Sequence, residues 1–164
     1  MLLVKWIKKV NYRELLKTGK VFSCGDRVID YSAVEDFILG MEKKYGVQIQ
    51  AIGFDRWNAL SSAQKLERAG YNMVEIRQHS SVLHPPTKLL REKILSGEFE
   101  YTTNKLLEIN FQNARCVYDT NKNQYVNKKK SKGKVDMVVS LINAVYLLQQ
   151  DYFLNQTDFT VQVI

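Results

Sequence analysis

Cysteine is nearly absent from this chain: Cys24 and Cys116 are the only two. Two are too few for a disulfide framework, and they lack the close paired spacing of a structural zinc site. They read as small buried hydrophobes of a reducing compartment. No run of about 18 apolar residues occurs, which excludes a membrane-spanning helix. The opening Met1-Leu2-Leu3-Val4-Lys5-Trp6 has too short an apolar run, and the wrong charge order, for a secretory signal. The expectation is a cytoplasmic protein without a membrane partner. A G-x-x-x-x-G-K-[ST] phosphate loop is missing as well. So are repeats, low-complexity blocks and Pro/Gly/Ser linkers, and a single domain over residues 1–164 is expected.

Hydrophobic residues make up 45% and charged residues 25%, the balance of a globular chain large enough to bury a core. The formal net charge is +7 and the pI about 9.3. A surplus of this kind favours polyanionic partners, because neutralising phosphates releases condensed counterions.

Periodicity places alternating strands and helices along the chain. Trp6, Ile7, Val10, Leu15 and Leu16 have loosely helical spacing, with Gly19 as a stop. Lys20–Ser23 is a short strand candidate, followed by a Gly25-Asp26 turn. Asp30 or Ser32 caps a helix with the apolar stripe Val34, Phe37, Ile38 and Met41, ended by Gly46. Val47–Phe54 is rich in strand formers and leads to Asp55. A helix follows from about Asn58 to Ala69, then a strand over Tyr71–Ile76. Pro85 and Pro86 are expected to open a helix with Leu89, Leu90, Ile94 and Leu95 on its apolar face. A helix over Asn104–Ala114 precedes a hairpin of Arg115–Tyr118 and Gln124–Asn127. The last element is a very apolar helix from about Val135 to Tyr152. Such alternation predicts an α/β layered domain with part of its sheet parallel.

Two acids and a basic strip stand out. Asp55 directly follows an apolar strand, and ligand sites in open α/β sheets gather at the carboxyl ends of strands. Its oxygens suit a hard cation, although an aspartate there also caps the next helix. Asp136 opens the last helix, where the helix dipole already favours an acid. What joins the two readings is the approach to Asp136. Lys122, Lys128, Lys129, Lys130, Lys132 and Lys134 run through this stretch without an acid, and Ser131 and Gly133 are expected to make it flexible. Phosphates lying across such a strip, with a metal at the neighbouring carboxylate, would account for both features.

The segments Ile52-Gly53-Phe54-Asp55-Arg56-Trp57-Asn58-Ala59 and Lys134-Val135-Asp136-Met137-Val138-Val139-Ser140-Leu141-Ile142-Asn143-Ala144 resemble two signature blocks of the nuclease domain of tailed-phage terminase large subunits. The order of elements between them is similar too, over roughly residues 18–150. That resemblance implies a ribonuclease H-like mixed sheet flanked by helices. It implies a Mg2+- or Mn2+-dependent endonuclease that cuts double-stranded concatemeric DNA during genome packaging. Asp55 would match the family's second metal-binding acid and Asp136 its third, with Lys128, Lys129, Lys130, Lys132 and Lys134 on the DNA. Two ions about 3.5–4 Å apart would activate water and stabilise the leaving oxygen.

The family's first acid lies on an opening strand that this chain is expected to lack, along with the ATPase part. Glu75, Asp119 and Glu100 are candidate replacements, and spacing favours none of them. A terminase ATPase fragment encoded upstream, the small terminase subunit or the portal are the partners this implies. A catalytically inactive DNA-binding or assembly fragment of a prophage terminase is the alternative. A transposase or resolvase relative is a third reading. His79 and His84 are expected in surface or core roles, and Trp57 and Tyr146 in the core or lining a site.

Overall fold

The computed structural model describes residues 10–19 and 21–150, and its contacts group into two compact units, Met1–Val47 and Gln48–Ile164. In the first unit, Asn11 caps α1 (Tyr12–Lys17), its side chain accepting from the Glu14 N–H at 3.4 Å. The earlier part of the expected helix, with Trp6 and Ile7, lies outside the described residues. Asp30 caps α2 (Tyr31–Tyr45), where its Oδ1 accepts from the Ser32 and Ala33 amides at 3.0 and 3.4 Å. Gly46 follows as the expected C-cap.

The strand expected around Lys20–Ser23 does not form over Val21–Ser23, and Lys20 itself is outside the described residues. A short strand holds only with a neighbour to pair its backbone groups, and none is offered among the described residues. Phe22 instead lies ring to ring with Phe37, their centroids 5.6 Å apart, and the Lys44 ammonium sits 5.3 and 5.7 Å from the two rings.

The second unit begins with a βαβ motif. β1 (Ile52–Phe54) and β2 (Met73–Glu75) pair in parallel, with Phe54 opposite Glu75, and α3 (Arg56–Arg68) connects them. Only the last three residues of the expected Val47–Phe54 run become strand, because the partner strand is itself three residues long. α4 (Ser80–Leu95) and α5 (Lys105–Asn113) follow. Next come the antiparallel hairpin of β3 (Cys116–Tyr118) and β4 (Gln124–Val126), and then α6 (Asp136–Gln149). The expected α/β class therefore holds, with one parallel and one antiparallel strand pair among the described residues.

α4 departs from expectation at its start. It begins at Ser80 under a His79 cap, so Pro85 and Pro86 fall inside the helix rather than at its first turn. Proline lacks the N–H that the Ser81 and Val82 carbonyls would otherwise accept, normally a costly change in a helix interior. Burial offsets it: Pro86 is among the most enclosed side chains of the protein. Of the expected apolar face, Leu90 is buried and Leu89 packs against it, whereas Leu95 is 70% exposed. The cysteines are not core residues, as Cys24 is half-buried and Cys116 exposed.

The core gathers Leu90, Leu107, Val138, Leu141, Ile142 and Val145, so α4 and α5 close on α6. Leu107 is completely buried. Replacing it with alanine is expected to cost roughly 2–5 kcal/mol, the range for a core leucine that leaves a cavity, measured by urea unfolding. On the other side α6 lies against β1. Gly53 makes that approach feasible: a Cβ there would stand 2.5 Å from Ile76 Cδ1 and 3.3 Å from Leu147 Cδ1.

Candidate functional site

β1 ends where its partner strand ends, so both chains leave the sheet side by side; the Ile76 amide still donates to the Phe54 carbonyl at 2.8 Å. Asp55 stands at this edge, half-buried, as the N-cap of α3. Its Oδ1 accepts from the Trp57 amide at 3.3 Å. That bond engages one oxygen, and a carboxylate offers about four acceptor positions, so capping leaves capacity for a cation. Past the sheet edge lies a depression of about 600 Å³ lined by Asp55, Arg56, Trp57, Glu75, Arg77 and Gln78. Glu75 is the acid that sequence spacing could not select, and the parallel register sets it opposite Phe54, next to Asp55. Trp57 is 84% exposed, a rim residue rather than a core one.

Asp136 does not line this depression, but α6 relates the two acids. Leu147 packs at Gly53 inside the sheet, while Gln78, beyond the carboxyl end of β2, donates from Nε2 to Asn143 Oδ1 at 3.4 Å. The helix therefore runs back against the strand direction. Asp136, seven residues before Asn143, extends about 10 Å further the same way at 1.5 Å per residue. It reaches the end of the unit where Asp55 sits.

The start of α6 is held by another helix. Val135, the N-cap, supplies no side-chain bond. Asn110 on α5 substitutes for it: buried, it donates from Nδ2 to the Leu106 carbonyl at 2.8 Å, and its Oδ1 accepts from the Met137 amide at 3.2 Å. Asn113 donates to the Lys134 carbonyl at 3.1 Å. Asp136 itself is exposed and ion-paired, Lys128 Nζ lying 3.1 Å from its Oδ1.

The lysine loop is not the flexible linker that Ser131 and Gly133 suggested. Ser131 Oγ donates to the Asn127 carbonyl at 2.8 Å and accepts from the Arg115 amide at 3.1 Å. The Lys132 amide donates to the Asn113 carbonyl at 3.0 Å. Gly133 is required by close approach, since a Cβ there would meet Asn113 Nδ2 at 2.7 Å. Lys128, Lys129, Lys130, Lys132 and Lys134 are exposed along this pinned segment.

Asp119 and His84 make contacts that hold the fold, and His79 both caps α4 and lines the depression. Asp119 accepts from Ser80 Oγ at 2.6 Å, from the Asn121 and Asn123 amides at 2.8 Å each, and from Asn123 Nδ2 at 2.9 Å. The Ser80 and Asn123 bonds lower its pKa from 3.8 to about 2. Its contribution to stability is therefore complete above the ordinary carboxylate value and lost as pH falls toward the lowered one. Asp119→Asn is expected to flatten the loss of thermal stability between about pH 4 and pH 2, as read by thermal unfolding in a pH series. His79 caps α4, and His84 Nδ1 accepts from the Gln124 amide at 2.7 Å.

Among the described residues no three His, Cys, Asp or Glu side chains converge in a geometry that would hold a metal ion. The oxygen donors of Asp55 and Asp136 still suit Mg2+, which protein sites often hold through one or two carboxylates, with water and substrate phosphates completing the shell. No helix among the described residues is long and apolar enough to cross a membrane.

Helices against short strands, with an acid where the parallel pair opens, make an α/β domain with a candidate site at the carboxyl ends of β1 and β2. The family model described as terminase large subunit, endonuclease domain, matches residues 3–151. The chain belongs to that family. Among solved structures it is similar to the one described as the crystal structure of the HK97 bacteriophage large terminase. The TM-score is 0.75 at 22% identity, over 84% of this chain and 29% of that one. At that identity the likeness speaks for the fold, and the chain spans less than a third of the HK97 protein. No curated protein matches the chain.

Proposed function

We propose that this chain cuts double-stranded DNA by Mg2+- or Mn2+-dependent hydrolysis during phage genome packaging, with Asp55 and Asp136 as metal ligands. The observation that carries this reading is the course of α6, which runs back past the parallel strands and brings Asp136 to the end where Asp55 leaves β1. A divalent ion bound there supplies a Lewis acid and a water of lowered pKa. Everything else is the work of this chain. Asp55 is fixed by the α3 cap it makes, and Asp136 by the Asn110 and Asn113 latches. Lys128 balances the Asp136 charge, and Lys129, Lys130, Lys132 and Lys134 hold backbone phosphates without reading sequence. A terminase ATPase, the small terminase subunit and the portal are the proposed partners, in the host cytoplasm.

Incubating the protein with plasmid DNA and Mn2+ tests this, beside Asp55→Ala. Nicking or linearisation by the wild type and loss of it in the variant are expected; equal cutting by both proteins sinks the assignment. A second reading, a prophage-derived DNA-binding or assembly fragment without cleavage, is favoured by the small number of converging ligands among the described residues. It predicts salt-sensitive binding with no cutting under any divalent metal.

A further inference from the structure

We propose that the depression beyond β1 and β2 accepts an unpaired nucleotide of DNA, with the Trp57 indole as its stacking face and Arg56 and Arg77 on the flanking phosphates. This rests on the reading that the chain meets DNA, and it adds that the strand is locally opened at this point.

The indole is the first reason. Tryptophan usually buries most of its surface, yet Trp57 is 84% exposed, at the rim of a concave surface rather than on an open face. Its backbone is fixed by the Asp55 cap on its amide, and a side chain with two rotatable bonds loses little freedom on contact. Base–aromatic stacking tolerates any sequence, because every base has a π face.

Charge is the second reason. The lysine loop suits a duplex backbone, whereas Asp55 and Glu75 here offset Arg56 and Arg77. With no metal bound, this wall has no net charge and does not attract a run of phosphates. It fits an uncharged base, with one phosphate on either side meeting a guanidinium. Neither Arg56 nor Arg77 has an ion-pair partner among the described residues, and both are exposed.

Gln78 supplies the third. Its Nε2 donates to the Ile76 carbonyl at 3.1 Å and to Asn143 Oδ1 at 3.4 Å. The amide orientation is thereby set, with Oε1 left as an acceptor for an exocyclic amino group or ring N–H. A space of about 600 Å³ lies within the range of small-ligand sites.

The test uses the full chain in EDTA, so that binding is read apart from cutting. The sequence holds two tryptophans, Trp6 and Trp57, so Trp6→Phe leaves Trp57 as the only indole reporter. Fluorescence is titrated with a single-stranded 12-mer, its flush duplex, and a duplex carrying a two-nucleotide mismatch bubble. Saturable quenching by the single strand and the bubble, and much less by the flush duplex, is expected. Labelled-DNA anisotropy should show Trp57→Ala weakening single-strand binding by about 5- to 100-fold and Trp57→Phe restoring most of it, with flush-duplex affinity unchanged. Equal quenching by all three DNAs, or Trp57→Ala binding the single strand as tightly as wild type, overturns the proposal. Quenching that persists in a protein unable to cut DNA would overturn the nuclease reading alone. Cutting with unchanged Trp57→Ala binding would overturn only the nucleotide site.

Discussion

Asp136→Asn is expected to lower Mn2+-dependent cleavage by at least about a hundredfold, since even outer-sphere partners of metal ligands typically account for 10- to 100-fold. The variant keeps the side-chain shape and removes a charge beside the lysine loop, so DNA affinity should stay equal or rise. Unfolding would not account for the loss. The side chains of Asp136 and Lys128 are 63% and 61% exposed, and an exposed pair of this kind contributes at most about 1 kcal/mol. The favourable placement of an acid at the α6 N-terminus adds a similar small amount. The Met137 amide remains capped by Asn110 in the variant. Cleavage at the wild-type rate by Asp136→Asn would remove this residue from the site.

Replacing Lys129, Lys130, Lys132 and Lys134 together with alanine should weaken DNA binding by up to about a thousandfold near 0.1 M salt. It should also lessen the slope of log affinity against log salt by about three to four units, since each phosphate contact contributes about 0.9. Lys128 is kept because it pairs with Asp136. The four side chains are exposed, and surface changes of this kind usually move stability by less than about 0.5 kcal/mol, so the melting temperature should barely change. The pinned backbone sharpens this expectation. With its backbone held by Asn113, Asn127 and Ser131, the loop would present these lysines to DNA with little backbone ordering entropy left to lose. A slope that stays unchanged would show that the phosphates lie elsewhere.

Much of this architecture was legible in local chemistry. The Asp30 and Asp55 caps form as side-chain oxygens bonded to the next free amides, because capping needs only neighbours in sequence. The β3–β4 hairpin lies at its expected turn for the same reason. Pro85 misled, since its preference for a first turn was outweighed by the burial of Pro86 next to it. The strand expected around Lys20–Ser23 does not form over Val21–Ser23, because strand pairing depends on a partner that composition does not reveal.

The candidate site divides along the same line. Asp55, Asp136 and the lysines were visible in sequence, as residue type and order within the chain alone make them candidates. Which acid neighbours Asp55 was not, because Glu75 arrives there through parallel register with β1. Nor was the trans cap from Asn110, a contact between residues 27 apart. The sequence by itself determined the α/β alternation, the Asp30 and Asp55 caps and the basic approach to Asp136, all set by residue type and interactions within a few residues. Only the tertiary structure decided that α6 folds back along β1, and so toward which end of the strands Asp136 is carried. The physical reason is that this depends on Gly53 admitting Ile76 and Leu147, a matter of excluded volume between distant segments.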